Sequence, residues 1–194
     1  ATGTLTDLTG VGAPGALNPG DGVVTSVKQN SRDQFEFNYT SATGKFGGAI
    51  LTLGKDTTVP ADGNLDTYYA LPAGGLVFKV AGVTKIHVSV SDSVVERVVN
   101  GKNQYRSTTL EFTVSAGTPY ITITAADLLK ALPGFKTGEL TTVSFVVDDT
   151  VAAPGTSGKV TVDTKNLNFM PVVPGTATGT LTDLTGVGAP GALN

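Results

Sequence analysis

Three stretches of this chain alternate strictly between apolar and polar residues, and that period of two limits the possible folds more than any other feature. Phe35, Phe37 and Tyr39 alternate with Glu36, Asn38 and Thr40. Ile86, Val88 and Val90 alternate with Lys85, His87, Ser89 and Ser91, and Leu110, Phe112 and Val114 with Thr109, Glu111, Thr113 and Ser115. Successive side chains on a strand point to opposite faces, so each stretch reads as a strand with one face in a core. Further strands read at 48–53, 76–80, 94–99, 120–124, 141–147 and 159–162, with Gly or Pro at most junctions. About nine or ten short strands separated by turns predict an all-β, jelly-roll-like sandwich of two sheets. Phe35, Phe37, Phe78, Val80, Phe112, Phe145 and Val147 are its expected core. One segment breaks the pattern: Thr124 is an N-cap, Asp127 lies in the first turn, and Leu128 and Leu132 keep helical spacing before Pro133-Gly134. This predicts a single short helix near 125–132.

Charge and composition exclude several functions. The net charge is −3, only 15% of residues are charged, and Lys and Arg are scattered, so the basic face that neutralises phosphates is missing and nucleic acid is not a partner. Cysteine is absent, which removes disulfides and thiolate metal sites. No apolar run approaches the roughly 20 residues of a membrane-spanning helix. Catalysis finds little support. The one histidine, His87, falls on the polar face of a strand without the partner pattern of a nucleophilic triad. Asp148 and Asp149 are adjacent and so point to opposite faces, which suits a strand end opening a loop over 150–158 better than a carboxylate pair. The chain reads as a non-enzyme.

Its ends carry a second signal. The last eighteen residues, Ala177 to Asn194, repeat the first eighteen, Ala1 to Asn18, without a difference: ATGTLTDLTGVGAPGALN. The chain thus reads as one period plus the start of the next, a window on a repeat array or a processed filament subunit. The expected division is an inter-repeat segment over 1–22, a sandwich over 23–169, and a linker with the start of the next repeat over 170–194. Leu5, Leu8, Val11, Pro14 and Leu17 fall at every third position, a spacing that suits an extended polyproline-like path. Leu5, Leu8 and Val11, with Leu181, Leu184 and Val187 in the second copy, are expected to dock on a neighbouring domain, with backbone hydrogen bonds along a sheet edge contributing.

The order of segments resembles a known group. Phe35-Glu-Phe-Asn-Tyr39, Gly47-Gly48-Ala49 leading to Leu53-Gly54-Lys55-Asp56, Leu65-Asp66 with Tyr69 and Leu71, Leu76 to Gly82, Lys85 to Val88, Leu140 to Asp149 and Val160 to Phe169 follow one another as in the galactose-binding-like jelly roll of carbohydrate-binding modules. The resemblance covers roughly Val23 to Phe169. It implies a structural calcium as the one cofactor, with Asp163 on the last strand and Asp21 or Asp33 near the first as ligands. Turn and cap roles are the alternative for these aspartates. It also implies glycan binding through exposed aromatics. Trp is absent, Tyr39 faces inward and Tyr69 sits in the segment that the resemblance makes core-facing; Tyr68 and Tyr105 are the candidates for stacking.

Two functions therefore compete. The first is a structural repeat of an extracellular or cell-surface fibre, stalk or adhesin whose partners are neighbouring copies of the same domain. The second is a carbohydrate-binding module, repeated for avidity.

Overall fold

A computed structural model describes residues 14–31, 33–117 and 119–164, together with the backbone of 170–172. Twelve strands, one α-helix and a short 3-10 turn at Pro19–Asp21 are present among them: β1 Gly15–Leu17, β2 Lys28–Ser31, β3 Gln34–Thr40, β4 Phe46–Thr52, β5 Tyr68–Ala70, β6 Leu76–Ala81, β7 Lys85–Val99, β8 Lys102–Thr113, β9 Tyr120–Ile123, α1 Ala125–Ala131, β10 Leu140–Asp148, β11 Ser157–Asp163 and β12 Met170–Val172. The strands form two sheets, as the alternation requires. One runs β2-β3-β11-β6-β9. The other runs β1-β4-β10-β5-β12, with β7 also paired to β10 and β8 paired to β7.

The inward residues of both sheets meet in one core. Phe35, Phe37, Phe78, Val80, Val160 and Val162 face Ala49, Leu51, Val88, Val90, Val143, Phe145 and Val147, all buried. Phe145 lies at its centre, edge-on to Phe78 at 4.8 Å and to Phe35 at 5.8 Å between ring centroids. Its strand comes close to β4 because residue 48 is glycine: any Cβ there would run into the Phe145 carbonyl. One expected core residue differs. Phe112 is only half-buried. It points inward opposite Ile86, but β8 has no strand on its outer side.

The longest hairpin was expected as separate pieces. Residues 94–99 continue β7 instead of forming their own strand, and β8 begins at Lys102. The turn between them is Asn100-Gly101, with φ of 52° and 77°. Both residues sit in the left-handed region, the combination that a two-residue hairpin turn of matching twist needs and that Asn-Gly supplies. The sheet also takes in β1 and β12, on either side of the expected 23–169 boundaries.

Helix α1 forms where expected. The Thr124 hydroxyl accepts from the Asp127 N–H at 3.2 Å, and the Asp127 carboxylate accepts from the Thr124 N–H at 2.8 Å, so two otherwise orphaned donors are satisfied reciprocally. Thr124→Ala should cost about 1 kcal/mol, read in a thermal melt as a drop of roughly 2–4 °C.

Candidate functional site

The outer face of the larger sheet is a polar lattice. Side chains of β7 that face away from Ile86, Val88 and Val90 are His87, Ser89 and Ser91, and the pairing register sets each beside a partner. Thr142, Ser91 and Ser107 form one row across β10, β7 and β8; Ser144, Ser89 and Thr109 form the next; Val146, His87 and Glu111 form the third. On β4, Thr52, Ile50 and Gly48 extend these rows in turn. Neighbouring strands lie about 4.8 Å apart and successive same-face residues about 6.8 Å apart, so six hydroxyls form a regular two-by-three grid. Thr142 Oγ1 donates to Ser91 Oγ at 2.9 Å and Thr109 Oγ1 to Ser89 Oγ at 3.3 Å. Each hydroxyl has one donor and two acceptor sites, so these internal bonds leave capacity toward an incoming ligand.

The grid floors an open groove of about 700 Å³. Its rim adds Leu17 and Phe46 at one side, Asn103, Gln104 and Tyr105 at the other, and Lys45, Asp148 and Asp149 at one end. Phe46 is 44% exposed.

The end of the groove is held by one histidine between two carboxylates. His87 Nδ1 lies 3.0 Å from Asp148 Oδ2 and Nε2 lies 3.1 Å from Glu111 Oε2. Neutral imidazole has one N–H, so the ring donates to both only when it carries both protons. Asp148 closes β10, and its other oxygen accepts from the Thr150 hydroxyl at 2.7 Å and from the Thr150 and Val151 N–H groups at 2.9 and 3.0 Å. Burial pushes its carboxyl up, but these bonds and His87 outweigh that and hold its pKa below the ordinary value. Hydrogen bonds from His87 and then Lys85 do the same for Glu111. A carboxyl whose folded pKa is depressed stabilises the fold fully above its unfolded pKa and loses that contribution as pH falls through the folded value. Melting temperature should therefore hold level from about pH 7 to pH 5 and fall below about pH 4, the range in which unfolded carboxylates take up protons. A melt series across that range checks it.

Tyr68 and Tyr105 are brought together on one backbone residue. The Leu65 N–H donates to Tyr105 Oη at 2.9 Å, and Tyr68 Oη donates to the Leu65 carbonyl at 3.3 Å. Burial, then Tyr105, Glu139 and Asp66 nearby, push the Tyr68 hydroxyl up. Both rings brace the 55–67 loop, and Tyr105 also lines the groove.

Of the two aspartates expected to partner Asp163, the fold brings Asp33 beside it and leaves Asp21 apart. Asp21 sits beside the start of β4, accepting from the Asn18 amide at 2.9 Å and the Phe46 N–H at 3.4 Å. Asp33 and Asp163 are neighbours at the opposite end of the smaller sheet, where Thr164 donates its N–H and hydroxyl to the Asp33 carbonyl at 2.7 and 2.8 Å and Asp163 pairs with Gln34. The length of β3, roughly 20 Å, separates the two locations. Among the described residues no three His, Asp or Glu side chains are grouped to hold a metal ion. Asp33 and Asp163 are thus the two carboxylates that share one end of the smaller sheet. Leu5, Leu8, Val11, Leu181, Leu184 and Val187 lie outside the described residues.

The hydroxyl grid was not singled out from the sequence. Its signal was there in the polar positions of the alternation, Ser89, Ser91, Thr109, Thr142 and Ser144, but only the strand register shows that they line up.

No protein-family model and no curated protein matches the chain. Solved structures do. The family 11 carbohydrate-binding module of the cellulosomal cellulase Lic26A-Cel5E of Clostridium thermocellum is similar over 89% of this chain and 95% of its own, at 15% identity and a TM-score of 0.46. A family 11 module from the same organism, in complex with a β-1,3-1,4-mixed-linked tetrasaccharide, is similar over 87% of this chain and 91% of its own, at 15% identity and a TM-score of 0.46. A family 30 carbohydrate-binding module is similar over 78% of this chain and 88% of its own, at 18% identity and a TM-score of 0.47. At such identities these are likenesses of fold. Among the described residues, no helix is long and apolar enough to cross a membrane.

Proposed function

We propose that the chain is a non-catalytic carbohydrate-binding module that acts outside the cell and holds a neutral oligosaccharide along the outer face of its larger sheet. The hydroxyl grid carries this reading. A sugar presents donors and acceptors at short, regular intervals, and the grid answers with hydroxyl acceptors throughout and with donors where the O–H is not already spent internally, as those of Ser89, Thr109 and Thr142 are. Apolar ring faces find Tyr105, Phe46, Ile50 and Leu17 along the same groove, which has the size of a small-molecule site. Asp148 and Asp149 at one end disfavour acidic glycans by like-charge repulsion. With no Trp, recognition leans on hydrogen bonds more than on stacking. The test is an array of neutral oligosaccharides probed with the full chain, followed by titration of the best binder. Removing hydroxyls from the middle row in Ser89→Ala/Ser144→Ala should weaken binding by about tenfold or more, since each lost bond to a desolvated partner costs about 1–3 kcal/mol. Unchanged affinity in that folded variant, or no neutral binder at all, contradicts the reading.

The duplicated segment favours the second reading, a structural unit joined to neighbouring copies, which is compatible with glycan binding. The side chains expected to carry it belong to 1–13 and 177–194.

A further inference from the structure

The outer edge of β4 is filled by a segment that the chain carries twice. Gly15, Ala16 and Leu17 pair antiparallel with Ile50, Ala49 and Gly48. Asn18 follows in the left-handed conformation, and its amide donates to the Phe46 carbonyl at 3.3 Å. Pro14-Gly-Ala-Leu-Asn18 recurs letter for letter at Pro190-Gly-Ala-Leu-Asn194. The residues that pair with β4 and the asparagine that reaches the Phe46 carbonyl are therefore the same in both copies. Each chain therefore has two donors for one acceptor. The seated donor is only three residues long, with Gly15 exposed and Ala16 and Leu17 half-exposed, so it is held by few contacts and belongs to the easily opened part of the fold.

We infer that the β4 edge also accepts Pro190–Asn194 of a second copy of this chain, in place of its own Pro14–Asn18. The proposal does not rest on glycan binding, although Leu17 and Ile50 also line the groove. It places the expected sheet-edge docking at a defined acceptor, read from the duplicated sequence. Donor and acceptor are different surfaces, so the contact is heterologous and propagates into rings or open chains. The tethered first copy competes at a millimolar effective concentration, so exchange becomes prominent when chains are crowded to that level or the first copy is displaced.

The absence of cysteine makes this directly testable by crosslinking. A Cβ at residue 15 would stand 3.7 Å from Ile50 Cγ2, so residue 191 in the same seat lies within bridging reach of residue 50. Full-length Ile50→Cys and Gly191→Cys variants are mixed at about 1 mM, near the effective concentration of the tethered copy, with oxidised glutathione as oxidant. The mixed disulfide should form about tenfold faster than with Gly186→Cys, which lies on the same tail but out of register. Adding Gly15→Pro/Ala16→Pro to the Ile50→Cys chain should raise the yield several-fold, because one of two adjacent N–H groups must face β4 and proline removes it. Equal rates for residues 191 and 186, or no gain from the proline pair, overturns the proposal. So does closure solely within one chain when both cysteines are placed together.

Discussion

Replacing Asp92 with alanine is expected to cost the fold about 3–5 kcal/mol, the range for breaking a buried ion pair from one side. Asp92 has no exposed surface. Its carboxylate accepts from Arg106 Nε at 3.3 Å and from Arg106 Nη2, from the Lys136 N–H at 2.8 Å and from the Val94 N–H at 3.0 Å. The hydrogen bond to Asp92 raises the Arg106 pKa, so the guanidinium stays charged. Arg106 Nη2 in turn donates to the Gly134 carbonyl at 2.9 Å. One carboxylate thus ties the middle of the long hairpin to the loop that leads from α1 into β10. Truncation leaves the guanidinium and two backbone donors without their acceptor, and burial makes that loss expensive. In a chain of this size the cost reads as a fall in melting temperature of roughly 6–20 °C. Asp92→Asn keeps the shape but not the charge, and should fall between the two. A loss below about 1 kcal/mol for Asp92→Ala would mean that solvent replaces the carboxylate, contrary to its burial.

Phe145→Ala is expected to cost a similar 3–5 kcal/mol by a different route. The ring is fully buried, edge-on to two other phenylalanines, on the strand that pairs with both β4 and β7. Removing it takes away the transfer free energy of the ring and leaves a cavity whose walls belong to two hydrogen-bonded sheets. They cannot collapse freely. The half-buried Phe112 is the internal comparison, and Phe112→Ala should cost about half as much because less area leaves water. Chemical denaturation of both variants, with an unchanged dependence on denaturant, gives the two values.

How much of this was legible depends on how far each signal reaches along the chain. Alternation over 35–40 and 85–91 is local, and it placed β3 and the first half of β7 with the correct faces inward. The Thr124 and Asp127 capping pair is equally local, and it placed α1 to within a residue. The missed strands β1, β2, β5 and β12 are three or four residues long, too short to show a period. They exist because an edge was available to pair with. Phe112 misled for a related reason: alternation tells which way a side chain points but not whether the opposite sheet reaches far enough to cover it. The site was the least legible part. Ser89, Ser144 and Thr109 are unremarkable polar residues on three strands, and they become a row only through register. Asp21 and Asp33 were alternative partners for Asp163, and only the strand pairing shows that Asp33 is the one beside it while Asp21 lies by the other end of β3.

The proposed glycan-binding surface is the hydroxyl-bearing face of the larger sheet. Backbone amide shifts of the isotope-labelled full chain, followed through titration with a neutral oligosaccharide series, test it most directly. The predicted result is saturable shifts concentrated at Ser89, Ser91, Ser107, Thr109, Thr142 and Ser144, spreading to Gln104 and Tyr105. The contradicting result is a shift pattern centred on a second hollow, beside Tyr39, Gly82 and Pro119, or no shifts at all through millimolar sugar.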